Sequence, residues 1–188
     1  MRAELYLEAV EAFAEAGVDG AWHCALAILA AATGSSRPEL IGIGAKGMSF
    51  CVAELPQEAY REFESVGGYS PTVNHRIAAA QRAAPLQVVG DREYDDVAPF
   101  LRKDDAYMDV VRKYDIPPHG CQTTLVLEPN LLVGLNVHRT HKEGRIDADA
   151  TAAFAAFAPH ALAAVRTRLA LGDRNARDMA AALEYAGA

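Results

Sequence analysis

Cysteine is scarce in this chain. Cys24, Cys51 and Cys121 are the only three in 188 residues, odd in number and far apart, which excludes a disulfide framework. They read as reduced thiols. The opening MRAELYLEAVEAFAEAG carries four glutamates in an amphipathic pattern, where a secretion signal needs a basic start and an uncharged apolar run. A cytoplasmic protein is therefore expected. Uninterrupted apolar runs are short, and none reaches the roughly 18 residues that would suggest a membrane span. Positive charge is also in deficit, with 18 Lys and Arg against 25 Asp and Glu and a net charge of −7. A basic stripe that neutralises nucleic-acid phosphates is absent, so any DNA contact is expected to come from another segment or a partner. Repeats, low-complexity tracts beyond alanine richness and a clear linker are lacking too. What is there is 51% hydrophobic and 23% charged residues, the balance of one folded domain.

Hydrophobic periodicity lays out the order of elements. Leu5, Ala9, Val10 and Phe13 recur at helical spacing until Gly17 and Gly20, and AWHCALAILAAATG predicts a second helix ending at Gly34. Pro38 to Leu55 reads as a β-hairpin turning at AKG. Pro56 to Val66 predicts a helix, Asn74 to Arg82 a short one, and Leu86 to Val89 a strand. A longer helix is expected over Val97 to Tyr114, with Phe100, Tyr107, Val110 and Val111 as its apolar side, stopped by Ile116-Pro117-Pro118. CQTTLVLE and LLVGLNVH predict two strands joined at Pro129-Asn130. A helix from Asp149 to about Leu171 follows, with Pro159 expected to kink it. Hairpins separated by helices define an α+β fold, an antiparallel sheet with helices packed on it.

Three motifs carry possible chemistry. Gly42, Gly44 and Gly47 match G-x-G-x-x-G, but a strand rather than a helix follows, so they read as hairpin glycines and not as a phosphate cradle. His138 and His141 form H-x-x-H at a strand end, where His119 and Cys121 could complete a metal site; a polar loop leaving a sheet is the plainer account. Cys121, two residues after His119, could be an imidazole-activated thiolate, or simply a buried small hydrophobe. Trp22, Tyr69, Tyr94 and Tyr107 fall on segments expected to line one sheet face, where a tyrosine offers an apolar wall and a hydroxyl to a small organic ligand.

The stretch from Asp105 to Leu169 resembles the sensory domains of bacterial LuxR-type helix-turn-helix regulators, with a GAF/PAS-like fold. The features that carry the resemblance are the aromatic helix Tyr107 to Tyr114, two strands ending in His138-Arg139, the loop Gly144 to Asp149, and Pro159-His160 in the last helix. The N-terminal AWHCALAILAAATG is similar to the Trp-containing first helix, and Asn74-His75-Arg76 stands where many members carry Asp-Pro-Arg. Acyl-homoserine-lactone receptors use an Asp-Pro motif with preceding Trp and Tyr. This chain departs from that pattern at Asn74-His75 and in the missing Trp.

The resemblance implies a ligand cavity between sheet and helices, homodimerisation through long terminal helices, and transcription control. A helix-turn-helix output unit does not follow within the 188 residues. Residues 1–171 are expected to form the GAF/PAS-like sensing domain, and 172–188 a linker or helix toward such a unit, the four arginines between Arg166 and Arg177 leading into it. The expected function is thus small-molecule sensing by a regulatory homodimer, without catalysis, cofactor or membrane. Ligand would bind at Trp22, Tyr69, His75, Tyr107, Cys121 and Thr123. The alternatives are a thiol-dependent GAF-like reductase using Cys121 with His119, and a metal sensor using His138, His141 and His119.

Overall fold

The computed structural model describes residues 3–44, 50–52 and 56–186. Twelve main elements follow one another in the order α1 (Ala3–Asp19), α2 (Trp22–Thr33), β1 (Arg37–Gly44), β2 (Phe50–Val52), α3 (Gln57–Ser65), α4 (His75–Ala80), β3 (Val89–Gly90), α5 (Asp91–Val97), α6 (Asp105–Lys113), β4 (His119–Glu128), β5 (Leu131–Arg139) and α7 (Ala148–Ala186). The sheet order is β2-β1-β5-β4-β3, with every neighbouring pair antiparallel. The expected α+β architecture is thus the observed one. The AKG turn of the first hairpin lies outside the described residues.

Strand pleat sorts the side chains between two layers. In β5, Val133, Leu135 and Val137 are fully buried and join a core with Leu40 of β1, α1, α2 and α7. Gly134, Asn136 and His138 point the other way, because successive residues of a strand face opposite sides of the sheet. Phe13, Phe154 and Phe157 are fully buried in that core, each contributing about 1.5–3 kcal/mol of transfer free energy. Gly17 allows α1 and α7 to close on one another; a Cβ there would sit 2.9 Å from the backbone of Ala164. Tyr6 stacks on Phe157 and its hydroxyl meets His160 Nε2 at 2.7 Å, so the Pro159-His160 pair serves the α1–α7 contact.

Three expectations change. The helix over Val97 to Tyr114 is instead α5, a short 3-10 turn at Ala98–Phe100, and α6. Glu93 Oε2 accepts from the Gly90 amide at 2.9 Å and starts α5; Pro99 tightens the turn; Asp104 Oδ1 accepts from Tyr107 N at 3.0 Å and starts α6. Phe100 consequently leaves the apolar side and is 78% exposed. The strand at Leu86 to Val89 shrinks to two residues, since Leu86 itself adopts φ 65°. Lastly, α7, which contains Pro159, runs past Leu171. Its stretch Ala148–Gly172 is long and apolar enough, by length and composition, to cross a membrane, which short uninterrupted runs did not suggest. Here that face packs against α1 through Phe154, Phe157, Ala161 and Val165, as the core helix of the domain.

Candidate functional site

The sheet face opposite α1, α2 and α7 floors a cavity of about 510 Å³. Glu39 and Ile41 of β1, Leu132, Gly134, Asn136 and His138 of β5, and Gln122, Thr124 and Leu127 of β4 form the floor. A bulge between Thr124 and Val126 preserves this division: Leu125 and Val126 both turn into the core, and Leu127 returns to the cavity side. The opposing wall comes from Ala59, Tyr60 and Phe63 of α3, from Tyr69, and from Asn74, Arg76, Ile77 and Ala80 at α4. Ile116 and Pro117 close one side.

Polar groups converge on one part of this enclosure. Glu39 Oε2 accepts from Asn136 Nδ2 at 3.0 Å and lies 3.3 Å from His138 Nε2, while Tyr60 donates to Oε1 at 3.3 Å. Burial pushes the His138 imidazole below its ordinary pKa, against the opposing pull of its hydrogen bond to Glu39, so it is neutral near pH 7 and donates to the carboxylate. Gln122 Nε2 donates to the Arg76 carbonyl at 2.6 Å and thereby ties β4 to α4. Asn74 is 3% exposed and its amide is fully used. Its Oδ1 accepts from Arg76 N at 3.0 Å to cap α4, and its Nδ2 donates to the Gly68 carbonyl at 2.7 Å.

Of the six residues expected to bind ligand, Tyr69 and Thr123 border this cavity. The Thr123 hydroxyl donates to the Gln87 carbonyl at 3.0 Å. Tyr107 stands one shell back, its ring 5.7 Å from Phe63, which in turn packs on Tyr69 at 5.3 Å. His75 leaves α4 on the far side, against the Tyr94 ring at 5.2 Å. Trp22 and Cys121 belong to the core on the other face of the sheet. Trp22, Tyr69, Tyr94 and Tyr107 therefore do not share one sheet face. Sequence reasoning passed over Arg76, Phe63, Gln122, Gly134 and Asn136. The alternation Gly134-x-Asn136-x-His138 between Val133, Leu135 and Val137 was the available signal, a small or polar face opposite an apolar one.

The thiol and metal alternatives meet specific obstacles. Burial pushes the Cys121 thiol well above its ordinary pKa, with the Asp91 charge adding to the shift, and only 1% of the residue is exposed. His119 Nδ1 is engaged by Asp91 Oδ1 at 3.1 Å, whose other oxygen accepts from Ile146 N at 2.8 Å. His119 stacks edgewise on His141, whereas His138 faces the cavity with Glu39. Among the described residues no cluster of three or more His, Cys, Asp or Glu side chains could hold a metal ion.

His75, packed on Tyr94 away from the cavity, gives the fold a pH signature. Burial drives its imidazole from an ordinary 6.5 down to about 4; the Arg76 charge pushes the same way, and the Pro118 carbonyl, Asp91 and Asp95 oppose it. Between those two values the unfolded chain takes up a proton that the folded chain refuses. Stability is therefore present above pH 6.5 and falls as pH drops toward 4, by up to about 3 kcal/mol from this group. Urea titrations from pH 7 to 4.5 should show His75→Gln losing less stability than the parent; parallel curves would refute the assignment.

No family model and no curated protein matches the sequence. Solved structures do. The chain is similar to CepR2 of Burkholderia cenocepacia, an N-acylhomoserine-lactone-dependent LuxR-family transcription factor, with a TM-score of 0.62 and 19% identity over 89% of this chain and 97% of that one. It is also similar to the VqsR LBD domain of Pseudomonas aeruginosa, with a TM-score of 0.59 and 13% identity over 87% and 95%. At these identities the likeness is one of fold. The fold is the one these two structures share with this chain.

Proposed function

We propose that this chain is the small-molecule-sensing domain of a LuxR-type transcriptional regulator, related to GAF and PAS sensors. The observation that carries the reading is the cavity of about 510 Å³ between sheet and helices, apolar over most of its wall, with a few polar groups converging at one end. Likeness of fold to a lactone-dependent transcription factor supports it. Residues 1–171 form the sensing domain and 172–188 lead toward an output unit. The protein acts in the cytoplasm as a homodimer, without catalysis or cofactor, and reaches DNA only through a helix-turn-helix unit outside these residues.

In this mechanism the ligand sits on β1, β5 and β4 and draws α3 and α4 onto itself. The other face of the same strands carries α7, so occupancy alters the support of the helix that leaves the domain. The ligand shifts the equilibrium only by its difference in affinity for the two arrangements. Native mass spectrometry of freshly purified protein tests the reading. A dimer with excess mass lost on denaturation is the expected result, and a bare monomer would count against it.

A further inference from the structure

Arg76 is the residue that the rest of the cavity does not explain. It occupies the second position of α4, is only 8% exposed, and borders the cavity. Its Nε is buried without an acceptor. No carboxylate among the described residues lies within ion-pair reach of its guanidinium. Other charged side chains around the cavity are spoken for. Arg37 donates to the Asp115 carbonyl at 2.7 Å, with the Asp115 carboxylate 3.7 Å away, and Glu39 takes bonds from Tyr60, Asn136 and His138. His138 is neutral. A guanidinium stays charged at every physiological pH, so it cannot escape burial by losing its proton. Buried charges in folded proteins are paired, and this one has no ion-pair partner among the described residues.

We propose that Arg76 is paired by the ligand, and that the ligand is an organic acid: a carboxylate on an apolar body. This rests on the sensor reading and names its ligand class. Guanidinium and carboxylate match as a fork of parallel N–H···O bonds, which an uncharged amide or ester cannot fully reproduce. The apolar body follows from the remaining wall. Leu127 is 62% exposed, and Leu132 and Tyr69 are each 37% exposed, all on the cavity, with Ile41, Ile77 and Phe63 beside them. An acid with an alkyl or arylalkyl tail covers that surface while its head reaches Arg76. Glu39, which takes bonds from Tyr60, Asn136 and His138, is a carboxylate on the same cavity wall and disfavours a second acidic group, so a monoacid fits better than a diacid.

The experiment compares decanoate and 4-phenylbutanoate, each with its primary amide, by calorimetric titration against the full chain. At least one acid should bind 10-fold or more tightly than its amide. Arg76→Gln should bring acid and amide level, and Arg76→Lys should keep part of the preference. A merely structural arginine would move all four affinities together and leave the acid-to-amide ratio intact. Should Arg76→Gln not fold, the ratio in the parent protein and in Arg76→Lys still decides. Acids and amides binding equally well would overturn the organic-acid assignment and leave the sensor reading standing. Failure of all four probes to bind the folded protein would overturn both.

Discussion

Gly120→Ala should be the most damaging single-methyl change in the domain. Gly120, the second residue of β4, lies opposite His138 at φ +140°, a conformation that residues with a side chain rarely adopt. An added Cβ would lie 2.0 Å from the Val137 carbonyl oxygen, inside the β4–β5 ladder itself. Rotating the backbone to relieve the clash would pull His119 from Asp91 and Cys121 from the core, since both are immediate neighbours. Strain and broken pairing together should cost about 3–5 kcal/mol. For a chain of this length that lowers Tm by about 10 °C. Urea denaturation followed by circular dichroism would measure it, and a loss under 0.5 kcal/mol would show that β4 can begin in another conformation.

Gly134→Leu should do the reverse, removing ligand binding while keeping the fold. Gly134 lies on the cavity floor between Thr124 and Ile41 in the paired strands. A Cβ there would be 3.5 Å from Ile41 Cγ2, an ordinary contact, so the strand accepts it. Replacing glycine in a strand interior also removes an entropic cost of about 0.5–1 kcal/mol. The remaining atoms of the leucine project into the space a ligand tail would fill. Affinity for whichever acid binds the parent should fall by about 100-fold, near 2.8 kcal/mol, with an unchanged or higher urea midpoint. Undiminished binding would mean the ligand does not lie on β5.

These two glycines mark how differently the chain's features could be read. Helix and strand identities were legible wherever periodicity ran long, as in α1, α2, β4 and β5. Such runs carry their own burial pattern, and local geometry obeys it. The α5–α6 region was less legible because its breaks depend on single hydrogen bonds, from the Gly90 amide to Glu93 and from the Tyr107 amide to Asp104. Long apolar spacing across Val97 to Tyr114 conceals those local stops.

The candidate site divides along the same lines. The family resemblance came from segments scattered along the chain, and the fold agrees with it. Alternation within β5 was also in the sequence, but its match to β4 was not: the bulge between Thr124 and Val126 shifts the register by one residue and so puts Cys121 on the face of Leu135 and Val137, and Gln122 on that of Asn136. Which of those faces meets α1, α2 and α7, and which meets a cavity, has no local cause. It is set by α7, which crosses one face of the sheet only after both strands are complete, and by α3 and α4 covering the other. That is why Trp22 and Cys121 joined the core rather than the cavity, and why Arg76, one residue beyond His75, borders the cavity with its Nε left without an acceptor. The sequence alone determined an α+β domain with a net negative charge and a polar stripe on one sheet face. Only the tertiary structure decided what that stripe encloses, because enclosure requires elements far apart in the chain to meet.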